Sequence, residues 1–203
     1  MGKKYARVAV LVSGGGTNLQ AIIDAERDGK VASGRVVCVI SSNPGAFALE
    51  RARSAGIKGY AVPRQTLGQA EFEEKIISIL QKENADLIVL AGFMSILSAD
   101  FTKKYERRII NVHPSLIPSF CGEGFYGLRV HEAALAKGVK VTGATVHFVN
   151  EIPDGGEIIM QKAVPVREGD TPEKLQKRVM RQAEWKILPA AVEKISKEII
   201  GRV

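Results

Sequence analysis

Three short segments carry residue types on which chemistry can be built. In Asn111-Val-His-Pro-Ser, at the end of an apolar run, strand alternation sends Asn111 and His113 to the same side. An imidazole there can take or give a proton near neutrality, and an amide can hydrogen-bond a developing oxyanion. Asp154 stands on a glycine turn, Ile152-Pro-Asp-Gly-Gly-Glu. If that turn folds over the strand end, its carboxylate favours the imidazolium and raises the pKa of His113. The third segment is Ser13-Gly-Gly-Gly-Thr-Asn, where consecutive glycines let a backbone approach a ligand and a following helix aims its N–H groups at it. A phosphate suits such a cradle. It is not a Walker sequence, because Thr17 follows the last glycine, nor a dinucleotide fingerprint, because Leu19 stands where the third glycine belongs. Each segment has an ordinary alternative: a hydrogen-bonded structural histidine, a turn carboxylate, a tight strand-to-helix turn. The pattern alone leaves these open.

Other chemistries find less support. His131, on a helical stretch, and His147, inside a strand, read as structural residues. Three histidines with no cluster at ligand spacing argue against a catalytic metal. Ser13 and Ser115 lack a nucleophile elbow. Two cysteines, Cys38 and Cys121, are too few for a disulfide framework.

The elements that must position these residues alternate along the chain. Val8–Val12 reads as a buried strand, followed by a helix over Thr17–Asp28. Val36–Ser41 is a strand, Ala46–Ala55 a helix stopped by Gly56, Gly59–Val62 a short strand and Glu71–Asn84 an amphipathic helix. Leu87–Ala91 is a strand with a helix near Ala99–Tyr105 behind it. That rhythm predicts an α/β fold, a doubly wound, mostly parallel sheet with helices on both faces and ligands at the carboxyl ends of its strands. Beyond it come a strand over Arg108–Val112, a loop rich in glycine and aromatics from Phe120 to Gly127, and a helix over Val130–Lys137. Two β-like runs follow, Val141–Asn150 and Glu157–Val166. Pro172–Ser196 closes the chain as a helix, expected to kink or break near Pro189. With no linker or repeat, residues 1–203 are expected to form one domain, residues 1–107 carrying the phosphate cradle and 108–203 the catalytic candidates.

Composition narrows the class. The chain has 203 residues, 45% hydrophobic and 25% charged, with a formal charge of +7, so it can bury a core. Its basic residues are dispersed, and only Lys103–Arg108 and Lys174–Arg181 are dense, both in charge-mixed helical stretches. A solvated helix face explains them, and attraction of small anions is the alternative. No apolar run approaches the roughly 18 residues of a membrane helix. The start, Met1-Gly-Lys-Lys-Tyr-Ala-Arg, leaves no room for a signal peptide, so a cytoplasmic protein is expected.

At these residues the sequence resembles the folate-dependent phosphoribosylglycinamide formyltransferases of purine biosynthesis. The matching segments are Val10-Leu-Val-Ser-Gly-Gly-Gly-Thr-Asn-Leu-Gln-Ala-Ile, Ser42-Asn-Pro-Gly-Ala, Leu49-Glu-Arg-Ala, Leu90-Ala-Gly-Phe-Met-Ser-Ile-Leu, Ile110-Asn-Val-His-Pro-Ser-Leu-Ile-Pro, Gly143-Ala-Thr-Val-His-Phe-Val and Asp154-Gly-Gly. They span nearly the whole chain in family order. The resemblance implies a Rossmann-like formyltransferase fold in which the amine of phosphoribosylglycinamide attacks the formyl carbon of the co-substrate 10-formyltetrahydrofolate, with no metal. It assigns Asn111, His113 and Asp154 to catalysis, Gly16, Thr17 and Asn18 to the substrate phosphate, and Glu184 to the ribose hydroxyls. Met94, Ser95, Ile96 and Leu97, with Asn111 and the turn Asn150, Glu151, Ile152, Pro153 and Asp154, match segments lining the folate pocket. Partners are then small molecules, with neither nucleic acid nor membrane, and the chain a monomer or homodimer.

Three departures stand out. Ser95 and Gln69 replace arginines that many members direct toward the folate carboxylates, leaving Arg64 as the nearby cation able to substitute. The loop Ser119-Phe-Cys-Gly-Glu-Gly-Phe-Tyr-Gly-Leu is longer than in many members. Two relatives of the same superfamily are weighed against this reading. A methionyl-tRNA formyltransferase carries a further C-terminal domain, whereas this chain ends at Val203. A formyltetrahydrofolate hydrolase carries an N-terminal one, whereas the first strand here begins near Arg7. A non-catalytic nucleotide-binding module leaves Asn111, His113 and Asp154 unexplained.

Overall fold

The computed structural model describes residues 4–201; Met1–Lys3 and the chain end at Val203, both used in the sequence reading, lie outside them. In order, the elements are β1 (Ala6–Val12), α1 (Thr17–Arg27), β2 (Gly34–Ser41), α2 (Phe47–Ser54), β3 (Lys58–Ala61), α3 (Gln69–Lys82), β4 (Leu87–Leu90) and α4 (Ala99–Lys104). There follow β5 (Ile109–His113), α5 (Leu128–Lys137), β6 (Val141–Phe148), β7 (Ile158–Pro165), α6 (Pro172–Val179) and α7 (Trp185–Ile200). The expected spans are recovered to within a few residues. A 3₁₀ turn at Arg64–Thr66 was not anticipated.

Alternation along β1 explains the layering. Val8, Val10 and Val12 pack with Leu19 and Ile22 of α1 and Leu188 and Val192 of α7 on one face of the sheet. Ala9 and Leu11 pack with Phe72, Ile76 and Leu80 of α3 and Phe101 of α4 on the other. A strand apolar on both sides belongs in the middle of a helix-covered parallel sheet, and β1 lies there. The sheet has 7 strands in the order β3-β2-β1-β4-β5-β6-β7. The pairs from β3 to β5 are parallel, and β5–β6 and β6–β7 are antiparallel. The doubly wound, mostly parallel arrangement expected from the sequence is therefore present. The chain leaves β1 toward β2 on one side and returns to β4 on the other, which opens a crevice at the carboxyl ends of β1 and β4.

The same alternation aims the candidate catalytic residues. Ile110 and Val112 join the α1/α7 core while Ile109 joins the α3/α4 core, so Asn111 and His113 follow Ile109. In β6, Ala144, Val146 and Phe148 join the first core, which turns Thr145 and His147 to the opposite face. The antiparallel register sets Asn111 against His147 and His113 against Thr145.

The closing helix departs from expectation. Its break falls at a π-turn, Met180–Glu184, where the Trp185 N–H reaches the Met180 carbonyl, and Pro189 lies inside α7. Pro189 cannot bond back to the Trp185 carbonyl, and the irregularity is absorbed one turn earlier, where a wide turn adds a residue. The wide turn carries Glu184 into the interior.

Candidate active site

The cradle is built by the link between β1 and α1. Gly16 caps α1 in the left-handed conformation at φ 70°, with no side chain to cap the first turn. A Cβ at that position would lie 2.6 Å from the Ala48 Cβ, so both the backbone angle and the close approach of α2 require glycine. The first-turn N–H groups of α1 consequently face outward at the positive end of the helix dipole. Asn18 is buried, and its Nδ2 donates to Glu184 Oε2 at 2.7 Å across the π-turn. Its Oδ1 has no hydrogen-bond partner among the described residues. Burial pushes the Glu184 carboxyl up to about 7, against the lowering effect of the Asn18 bond.

Asn111, His113 and Asp154 converge at the end of β5. The 150–156 turn folds back over the strand, and Asp154, itself left-handed at φ 56°, brings Oδ2 to 3.4 Å from His113 Nδ1. Asp154 Oδ1 is 3.5 Å from Asn111 Nδ2, and the Gly122 N–H donates to Oδ2 at 2.9 Å. Burial pushes the Asp154 carboxyl up, but the neighbouring His147 and His113 rings and the Gly122 N–H bring it below the usual range. His113 Nε2 lies 2.8 Å from the Phe120 carbonyl. A carbonyl can only accept, so Nε2 carries a proton and the titrating nitrogen is Nδ1, facing Asp154.

The expected upward shift of His113 is not what results. Its pKa lies below the ordinary imidazole value, because burial outweighs the upward pull of Asp154 and of the Phe120 carbonyl. Only 4% of His113 is exposed, a degree of burial the sequence did not reveal.

His147, taken as a structural residue, stands in the site. Its Nδ1 donates to the Phe148 carbonyl at 2.7 Å, which leaves Nε2 to accept from Asn111 Nδ2 at 3.2 Å. Nε2 is also 3.5 Å from Asp154 Oδ1. Alternation within β6 placed His147 on the Thr145 side, but only the pairing register sets it beside Asn111. His131 is fully buried in α5 with neither ring nitrogen partnered among the described residues, and burial lowers its pKa to about 4.

The segments matched to the folate pocket are placed unevenly. Met94, Ile96 and Ile152 present exposed apolar side chains, and Glu151 and Pro153 are exposed beside Ile152. Ser95 is half-buried between Met94 and Ile96. Asn150 Oδ1 accepts from the Ile152 N–H at 3.0 Å and shapes the turn. Leu97 points elsewhere: it is buried in the α3/α4 core and supports the segment from beneath. Arg64 donates to the Leu67 carbonyl at 2.8 Å and to Gln69 Oε1 at 2.9 Å, and Gln69 in turn donates to the Ile96 carbonyl at 3.1 Å. Arg64 thus meets the Met94–Leu97 segment through Gln69. No group of three or more His, Cys, Asp or Glu side chains among the described residues is arranged to hold a metal ion.

A helix-end cradle after β1 and a half-buried Asn–His–Asp set around the end of β5, with β4 between them in one sheet, mark the class to which known proteins also point. The chain belongs to the formyl transferase family, whose model matches residues 6–192. Within it, the chain is 40% identical over 188 residues to the phosphoribosylglycinamide formyltransferase of Haemophilus influenzae, covering 92% of this chain and 85% of that one. It is 45% identical to the human trifunctional purine biosynthetic protein adenosine-3 over 96% of its own length, but spans only 19% of that protein. The crystal structure of glycinamide ribonucleotide transformylase 1 from Symbiobacterium toebii superposes with a TM-score of 0.89 at 41% identity, covering 96% of this chain and 89% of that chain.

Proposed function

We propose that the chain transfers the formyl group of 10-formyltetrahydrofolate to the amine of 5'-phosphoribosylglycinamide, giving phosphoribosyl-N-formylglycinamide and tetrahydrofolate in purine biosynthesis. The observation that carries the reading is the convergence of Asn111 Nδ2 and His113 Nδ1 on one carboxylate, Asp154, at the end of β5. The phosphate rests on Gly16, Thr17 and Asn18. The buried Glu184–Asn18 pair, with Asn18 Oδ1 still needing a donor, suits the ribose hydroxyls. The pterin lies on the apolar side chains of Met94 and Ile96 near Ser95, and its polar edge meets the 150–154 turn. Arg64 and Gln69 serve the carboxylate-bearing end.

The amine nitrogen bonds to the formyl carbon, and the bond from that carbon to the folate nitrogen breaks. One proton leaves the amine and one reaches the folate nitrogen, so the reaction is proton-neutral overall. His113, its pKa lowered by burial, is largely neutral near pH 7, and Nδ1 takes the amine proton. Asp154 holds the resulting imidazolium until it protonates the leaving nitrogen. The Asn111–Asp154 contact of 3.5 Å is too long for a firm N–H···O bond, which leaves that hydrogen available to the intermediate's oxyanion. His147 fixes the amide by accepting its other hydrogen. The reading places the reaction in the cytoplasm, where Cys38 and Cys121 are free thiols, on a chain with no helix among the described residues long and apolar enough to cross a membrane.

The test follows folate product by absorbance with and without the ribonucleotide. Turnover is expected only with phosphoribosylglycinamide present. Equal turnover without it would make the chain a formyltetrahydrofolate hydrolase.

A further inference from the structure

We propose that Arg51 is a positioning residue for the ribonucleotide phosphate, acting through the carbonyl of Gly15; the proposal rests on the reading of the glycine loop as the phosphate cradle. Helix α2 holds that loop from behind at three points. The Ala48 N–H donates to the Gly14 carbonyl at 3.1 Å, and Arg51 Nε donates to the Gly15 carbonyl at 2.8 Å. Between these bonds, Gly16 approaches α2 so closely that no side chain fits against Ala48.

These contacts decide where the loop's donors point. In a trans peptide the carbonyl and the following N–H are directed oppositely. Drawing the Gly14 and Gly15 carbonyls back toward α2 therefore turns the N–H groups of Gly15 and Gly16 away from it. The Gly16 carbonyl accepts from the Gln20 N–H at 2.9 Å in the first turn of α1, which sends the Thr17 N–H outward along the helix axis. With the Asn18 N–H, next in the first turn of α1, these donors form an anion-binding concavity at the positive end of the helix. Of the two bonds that set the first pair, the one to Gly15 comes from a side chain.

Arg51 is itself held in place. Its Nη1 donates to Gln20 Oε1 at 3.1 Å, and its guanidinium carbon lies 5.1 Å from the centre of the Phe47 ring. One planar group thus ties the loop to the helix that follows it, and its charge adds to the helix dipole behind the cradle. A lysine can place a charge there but has no rigid fork to span Gly15 and Gln20 together. Docking of α2 does not depend on Arg51, because Ala48 and Ala52 are buried in the α1/α7 core.

The experiment compares wild type, Arg51→Ala and Arg51→Lys in steady-state kinetics with phosphoribosylglycinamide and with the dephosphorylated glycinamide riboside. Arg51→Ala is expected to raise KM for the phosphorylated substrate roughly tenfold or more, the scale of losing a charge-assisted hydrogen bond. Its kcat and its KM for formyl-folate should change little, kcat/KM for the riboside should match wild type, and Arg51→Lys should recover only part of the loss. Equal losses with both substrates would make Arg51 a support of the fold and overturn the proposal, as would an unchanged KM for the phosphorylated one. A wild-type enzyme that does not distinguish the two substrates would remove the phosphate-cradle reading itself, and the Arg51 proposal with it.

Discussion

Asp154→Asn isolates the electrostatic part of the site. The carboxylate lies 3.4 Å from His113 Nδ1, where unit charges attract by about 5 kcal/mol at an effective dielectric constant of roughly 20. That is a gross figure, and desolvation of the imidazolium opposes it; in the resting site desolvation prevails and His113 lies below its ordinary pKa. Removing an opposite charge at this range lowers a pKa by about 1–3 units, or about 1.4–4 kcal/mol withdrawn from the imidazolium. Asparagine is the right replacement because Asp154 is left-handed at φ 56°, a conformation that Asn tolerates. Its amide oxygen can also still accept from the Gly122 N–H. If the imidazolium accompanies the tetrahedral intermediate, kcat should fall about 10- to 1,000-fold. The acid limb of the kcat/KM profile should move to lower pH, since His113 must be neutral to accept the amine proton and the variant stays neutral further down. NMR titration of the His113 ring in both proteins, beside the pH–rate profiles, measures the two effects separately. A His113 pKa that does not move, with kcat retained, would reduce Asp154 to a turn residue and refute the argument.

Further outcomes follow from the same geometry. His113→Ala should lose about 10²–10⁴ in kcat with both KM values largely kept, the usual scale of general acid–base catalysis; stopped-assay kinetics with both substrates measure it. Gly16→Ala meets the Ala48 Cβ at 2.6 Å and a backbone angle of φ 70°; it should weaken ribonucleotide binding, spare folate binding and cost about 1–3 kcal/mol of stability, read by calorimetric titration and melting. Glu184, raised on folding to about 7, binds its proton more tightly in the native chain. Stability therefore declines by a few kcal/mol as pH rises from about 4 to 7. Glu184→Gln should flatten that decline in melts at stepped pH.

What the residues revealed beforehand was what depends on local order. The apolar runs and glycine stops yielded the alternating elements, and period-two alternation put Asn111 and His113 on one side. The family resemblance alone assigns Leu97 to the pocket lining, and it is the member of Met94–Leu97 buried in the α3/α4 core. His147 was invisible as a site residue because its place depends on the β5–β6 register, a relation between segments 36 positions apart. The sign of the His113 shift turned on burial, which arises from the loop carrying Phe120 and the turn carrying Asp154 closing over the ring from opposite sides of the chain. The π-turn that delivers Glu184 had no local signal stronger than Pro189, and the proline pointed to the wrong turn.

The order of strands explains how the proposed phosphate site and the proposed formyl-transfer site can serve one ligand. β1, β4 and β5 are neighbours, so the glycine loop after β1 and His113 at the end of β5 are two strand spacings apart, about 10 Å. That is room for a sugar between an anchored phosphate and a reacting amine. The segment after β4 lies between them and is tied to the cradle: the Met94 N–H donates to Ser13 Oγ at 2.9 Å, and the Ser13 N–H donates to the Gly92 carbonyl at 3.0 Å. Ser13 Oγ also shares a 2.6 Å hydrogen bond with Ser42 Oγ. A ligand resting on Met94 and a ligand held by the glycine loop are therefore referred to the same backbone, so a shift of one displaces the other. The switch from parallel to antiparallel pairing after β5 then supplies the chemistry. Because β6 runs antiparallel to β5 it presents His147 directly opposite Asn111, and the turn that leaves β6 for β7 brings Asp154 over His113 at the end of β5.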